Sequence, residues 1–143
     1  MKRRSHGVTL IEMLMVVAIV GLMAGLMLPS VSSGLDSIRL SSAADSVASF
    51  LSAAANRAER RQQAMEVILT PKENSIQLFS TEPGYARKLQ MPAGITLLGD
   101  EPRRFMLMPG GTAPRIAVQL ASSRGGHKTV RIHPVTGVPE ITP

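Results

Sequence analysis

A chain of 143 residues with 16 Lys and Arg, 10 Asp and Glu and no cysteine has room for one soluble domain beside a membrane segment. That domain has no disulfide staple and no thiol chemistry. With three Phe and one Tyr, it also has little material for a platform that stacks nucleic-acid bases. The formal charge of +6 gathers at two places. One is a short leader with Lys2, Arg3 and Arg4, and the other is the stretch after Pro102, where Arg103, Arg104, Arg115, Arg124, Lys128 and Arg131 stand against Glu140 alone.

Behind the leader, residues 7–29 read GVTLIEMLMVVAIVGLMAGLMLP. One carboxylate, Glu12, stands near the start, and the run from Met13 to Leu35 is 23 residues without a charge. A helix needs roughly 20 residues to cross a bilayer core, so the run is long enough to span. An ionised side chain in hydrocarbon costs about 2.5–3.5 kcal/mol on insertion scales, so Glu12 calls for a partner. A cut after Gly7 creates one, because the new amino group on Val8 lies four residues before the carboxylate. The leader bases hold the N-terminus in the cytoplasm and direct the rest of the chain outward. Once they leave, 13 bases face 10 acids.

The basic leader, Gly7, the run Val8-Thr9-Leu10-Ile11-Glu12 and an apolar helix with Pro29 resemble the class III signal of type IV pilins and type II secretion pseudopilins. The resemblance implies that a membrane aspartyl peptidase cuts between Gly7 and Val8 and methylates the new N-terminus. It also implies an assembly role for Glu12, the fifth mature residue, and for Pro29, the twenty-second. Val8 stands where Phe is usual. Two plainer readings remain open, a secretory signal cut near Ser30-Val31-Ser32 and an uncleaved anchor. Both leave the Gly-x-Thr-Leu-x-Glu spacing unexplained.

Pro29 removes a backbone hydrogen bond and is expected to bend the helix, with Ser30 to Gly34 as a soft joint. Beyond Leu35 an amphipathic stripe appears, with Leu40, Ala44, Val47, Leu51, Ala54 and Ala58 spaced alternately by four and three residues. The pattern predicts one helix continuing the membrane segment and fading around Arg61 to Gln63. From Met65 the period changes to two. Met65–Thr70 and Ser75–Ser80 flank Pro71-Lys72-Glu73-Asn74 as a hairpin. Further strands are expected at Tyr85–Gln90 on an edge, Ile95–Leu98, Arg103–Met108, Arg115–Ala121 and Lys128–His133, with Glu140-Ile141-Thr142 last. Short strands at this spacing predict two small antiparallel sheets.

Three later stretches, Leu89 to Leu97 as L-x-x-P-A-G-I-T-L, Phe105 to Gly110 as F-x-x-x-P-G, and Ile132-x-Pro134-x-Thr136-Gly137, resemble the GspH/FimT branch of the pseudopilins. The resemblance implies an α+β, pilin-like fold in which a long N-terminal transmembrane and amphipathic helix packs on a small C-terminal antiparallel β-sandwich. Its parts are a leader over 1–7, a transmembrane helix over 8–30, an amphipathic continuation over 31–63 and a periplasmic β-rich domain over 64–143. The implied function is that of a minor pseudopilin in the inner membrane, extracted into a filament. Its partners are other pilin or pseudopilin subunits, a prepilin peptidase and an inner-membrane assembly platform. The alternative is a FimT-like minor pilin in pilus assembly or DNA uptake.

No enzymatic constellation appears. His127 and His133 lack a Cys or a metal-ligand spacing, and neither a nucleophile elbow nor a phosphate loop is present. Asp100-Glu101 is the only adjacent acid pair in the soluble part, and such neighbours diverge. With Glu140 as the only acid after Glu101, a C-terminal calcium loop is not expected. No cofactor or metal is therefore expected. The basic C-terminal half offers phosphate contacts, with Arg124, Lys128 and Arg131 as the candidate DNA-binding residues. Where the branch's DNA-binding tail resembles Gly-Arg-x-Arg, this chain has Gly137-Val138-Pro139-Glu140.

Overall fold

A computed structural model describes residues 9–81, 84–111 and 114–143, with the backbone alone for residues 26–33. One helix, α1 (Leu10–Arg61), is followed by eight strands: β1 (Met65–Thr70), β2 (Ser75–Ser80), β3 (Ala86–Gln90), β4 (Ile95–Leu97), β5 (Arg103–Leu107), β6 (Ala117–Ser122), β7 (His127–Ile132) and β8 (Pro139–Thr142). They form two four-stranded antiparallel sheets, ordered β3-β2-β1-β5 and β4-β6-β7-β8. This is an α+β, pilin-like fold. The chain divides into two compact units, Met1–Leu35 and Asp36–Pro143.

In the second unit the predicted stripe is the buried face of α1. Leu40, Ala44, Val47, Leu51, Ala54 and Ala58 are all in the core, joined by Ala43. Burying a Leu or Val side chain is worth about 1.5–3 kcal/mol, while the alanines let the helix approach the strands closely. The sheets answer with alternate residues. Val67 and Leu69 of β1 pair in register with Leu78 and Ile76 of β2, Met65 lies opposite Ser80, and Val118, Leu120, Val130 and Ile132 of β6 and β7 complete the core.

Both strands of the first hairpin stand where the alternation placed them. The turn between them is a 3-10 segment, Pro71–Glu73, closed by Asn74 in the left-handed conformation (φ 52°, ψ 42°). Asn tolerates that region better than most residues. Its side chain then reaches the other sheet: Nδ2 donates to the Ile95 carbonyl at 2.7 Å and Oδ1 accepts from the Leu97 N–H at 2.8 Å.

The helix runs from Leu10 to Arg61 and continues past Pro29, as the pattern predicts. Strand limits need correction. β6 starts at Ala117 rather than Arg115, because Ile116 N–H turns back onto the Pro114 carbonyl at 2.8 Å before the ladder begins. β6 and β7 also extend toward their turn to Ser122 and His127, since the Ser122 N–H donates to the Gly126 carbonyl at 2.8 Å. Gly126 allows that hairpin to lie against α1. A Cβ there would stand 3.2 Å from Leu40 Cδ2 and 3.1 Å from Ser122 Oγ.

Candidate functional site

The start of α1 is built by Thr9. Its carbonyl accepts from the Glu12 and Met13 N–H groups at 3.1 and 3.2 Å, and its Oγ1 accepts from Glu12 N–H at 3.3 Å. Thr9 is therefore the N-cap and Glu12 the third helical residue, the S/T-x-x-E arrangement of a capping box. A carboxylate in the first turn also meets the positive end of the helix dipole. Reading Glu12 only as an acid in need of an ammonium missed this local role, although Thr9-Leu10-Ile11-Glu12 carries its signature. The expected cleavage pair, Gly7 and Val8, lies outside the described residues. Pro29 lies within α1, and its side chain is outside them too.

From Leu10 to Gly25, Glu12 apart, the helix is apolar on all sides and covered on none. Leu10, Ile11, Met13, Leu14, Met15, Val16, Val17, Ile19, Val20, Leu22 and Met23 are exposed, from 51% at Val16 to 82% at Leu10. A helix hydrophobic all round belongs in lipid or in the middle of an assembly. Among the described residues no helix is long and apolar enough to cross a membrane. The 23-residue run counted in the sequence passes through residues 26–33, whose side chains are not described.

The three candidate DNA-binding residues are not one free patch. Arg124 Nε holds Asp36 Oδ2 at 2.9 Å, and Lys128 Nζ donates to Ser41 Oγ at 2.9 Å. Both heads thus fasten the β6–β7 hairpin to α1. Arg131 is exposed and stands opposite Glu140 in the β7–β8 register. His127 is exposed at the start of β7, and His133 Nδ1 accepts from the Val135 and Thr136 N–H groups, each at 3.3 Å, capping the turn before β8. Among the described residues no three of His, Asp and Glu are gathered as metal ligands would be.

Two features of the globular unit had no signal in the spacing. The Arg57 guanidinium carbon sits 3.6 Å from the centroid of the Tyr85 ring, a cation–π contact between α1 and the chain entering β3. A cleft of about 630 Å³ opens between Ser52, Ala55 and Glu59 of α1 and the loops carrying Met108, Val135 and Val138. At its edge Glu59 Oε1 accepts from the Gly110 N–H at 2.9 Å.

Residues 2–28 match the prokaryotic N-terminal methylation motif. No curated protein and no solved structure shows a significant match to the chain. The chain therefore carries a prepilin-type N-terminus on a pilin-like α+β fold, which supports a type IV pilin-like or pseudopilin role. The motif implies processing by a prepilin peptidase and assembly with other pilin subunits.

Proposed function

We propose that this chain is a non-enzymatic minor pseudopilin of a type II secretion apparatus, of the GspH/FimT branch. The observation that carries the reading is the start of α1, where the matched motif, the Thr9 cap, Glu12 in the first turn and a helix apolar on every side coincide. The peptidase cuts between Gly7 and Val8 and methylates the Val8 amine. The processed chain waits as a single-pass protein of the inner membrane with its C-terminal domain in the periplasm. An assembly platform then draws it into a short filament, with Pro29 in the segment that enters the filament.

Glu12 has two tasks in this scheme. Within its own chain it completes the first turn of α1, and on docking its carboxylate meets the Val8 ammonium of a neighbour in surroundings too apolar for an unpaired charge. Mass spectrometry of the purified protein is expected to give a mass beginning at a methylated Val8. An intact Met1, or a cut near Ser30 to Ser32, overturns the reading. Glu12→Ala is expected to be processed normally yet fail to enter filaments, and normal incorporation of that variant removes the docking role.

Secretion is favoured over DNA capture because Arg124 and Lys128 already hold Asp36 and Ser41, which leaves Arg131 as the uncommitted member of the three. A strain lacking the gene is expected to retain normally secreted proteins in the periplasm. Unchanged secretion with lost DNA uptake would instead select the FimT-like pilin. Absence of low-salt gel retardation by the full-length protein in detergent disposes of that alternative.

A further inference from the structure

The charges on α1 are placed where a bilayer would set them. The uncharged run from Met13 to Leu35 is 23 residues, about 34 Å as helix at roughly 1.5 Å per residue, against a hydrocarbon core of about 30 Å. The helix is continuous beyond the run. Asp36 to Arg39, the next four residues, therefore fall in the headgroup layer, which adds about 5–7 Å on each side of the core.

The globular unit begins at Asp36, and it presents cations at this level. Arg39 stands 3.8 Å from Asp36 Oδ1, while Arg124, at the tip of the β6–β7 hairpin, holds Asp36 Oδ2 at 2.9 Å. One carboxylate thus answers two guanidinium groups, both more than half exposed. Lys128 donates to Ser41 Oγ at 2.9 Å, and a hydroxyl cancels no charge. Three bases stand against one acid, a surplus of two positive charges. The next acid on α1, Asp45, comes nine residues after Asp36, roughly 14 Å further along the helix. Ile38 adds apolar surface at the same level, being 65% exposed. Ile38 and Arg39 lie about 100° apart around the axis, which suits a surface that the helix crosses, since such a surface surrounds it. Their Cα–Cβ bonds tilt toward the helix N-terminus, the side on which the apolar run lies.

We propose that this end of the globular unit docks on anionic phospholipid headgroups, with Ile38 leaning toward the acyl chains and Arg39, Arg124 and Lys128 over the phosphates. The length of the uncharged run sets the level, and the surplus cations set the sign of the partner. Attraction of bases to a negative membrane acts over a Debye length, so it leaves the bonds to Asp36 and Ser41 in place. The contact rests on the membrane-anchored reading above, because the anchor supplies the high effective concentration that lets two surplus charges suffice. Extraction into a filament has to break this contact, so negative lipid holds the waiting subunit in store.

The absence of cysteine from the chain allows a dye to be placed at single positions of the full-length protein in vesicles. Ser123→Cys reports from the exposed hairpin tip. Val135→Cys reports from the cleft beside Ser52 and Glu59, at least 14 residues beyond Ile38 on α1, roughly 20 Å along the helix. The vesicles are phosphatidylcholine with or without phosphatidylglycerol, and a trace lipid carries a nitroxide quencher on its headgroup. At Ser123→Cys the ratio of docked to free protein, read from quenching, is expected to rise with phosphatidylglycerol by about three- to fivefold for each surplus base and to fall as salt is raised. Val135→Cys should respond to neither. Equal quenching in the two lipids, or an equal rise at both positions, overturns the proposal. Arg39→Gln with Lys128→Gln removes the surplus and should abolish the lipid dependence, while Arg39→Lys with Lys128→Arg keeps both. Dependence retained by the first pair, or lost by both pairs, refutes attraction by charge. Leu14→Cys, with the nitroxide moved into the acyl chains, separates the two readings. If it is quenched while Ser123→Cys ignores the lipid, the anchor stands and this contact falls. If it is not quenched, both fall.

Discussion

The two stretches of α1 on either side of residues 26–33 are made of similar residues and meet opposite surroundings. From Leu40 to Ala58 the apolar side chains follow a 3.6-residue period and vanish into the core, whereas from Leu10 to Met23 they cover the whole circumference and stay exposed. The difference lies in what the rest of the chain supplies. Two sheets give the later stretch a surface of Met65, Val67, Ile76, Leu78, Val118 and Val130. The earlier stretch has no such counterpart among the described residues, so its burial has to come from outside the chain. Hydrophobic content alone therefore does not separate a domain's own core from a surface reserved for lipid and neighbours. The period does.

The largest effect expected from breaking this contrast is Leu51→Ala. It empties a fully buried site and should cost about 2–5 kcal/mol, read as a fall in the thermal midpoint of the globular unit. The matching change Leu14→Ala should leave that midpoint unaltered while weakening assembly. Equal thermal effects would mean that the two stretches are not differently supported. Next in size is Asn74→Ala, which strands the Ile95 carbonyl and the Leu97 N–H. A loss of about 1–3 kcal/mol is expected, measured by urea unfolding, and no loss would show that the tie between the sheets is dispensable.

Thr9→Ala acts at the other end of the helix. Removal of an N-cap costs about 0.5–2 kcal/mol locally, so hydrogen exchange should quicken at the Glu12 and Met13 amides while the thermal midpoint holds. Smallest is Arg124→Gln, where a half-exposed ion pair with Asp36 is lost. The expected change is below about 1 kcal/mol and should shrink as salt is raised. A larger, salt-independent loss would mean that the arginine stem, not its charge, holds the hairpin on α1.

What could be read from the sequence follows the same division. The stripe from Leu40 to Ala58 was legible because burial on one side imposes a period. The hairpin Met65–Ser80 was legible because alternation and a Pro-x-x-Asn turn agree. The ends of β6 and β7 shifted by one or two residues, because single hydrogen bonds such as Ile116 to Pro114 decide where a ladder begins. That one helix runs on past Pro29 was legible too, since a proline removes one bond without forbidding the turns on either side. Arg57 against Tyr85 and Asn74 against β4 join residues about 20 or more positions apart, and no local pattern encodes such pairs. At Glu12 the signal was present, but the docking role drew attention from the cap that Thr9 builds around it.

The Asn74 amide has one more effect. The Leu98 N–H donates to Gln119 and the Gly94 carbonyl accepts from Ser123, so the even-numbered groups of β4 point toward β6, and the Ile95 carbonyl and Leu97 N–H point away from it. Those are the groups through which a foreign chain would lengthen the sheet. Asn74 occupies both, acting as a strand one residue long. The chain thereby closes one route to fibrous aggregation, and opening that margin by mutation should favour insoluble deposits even where the fold survives.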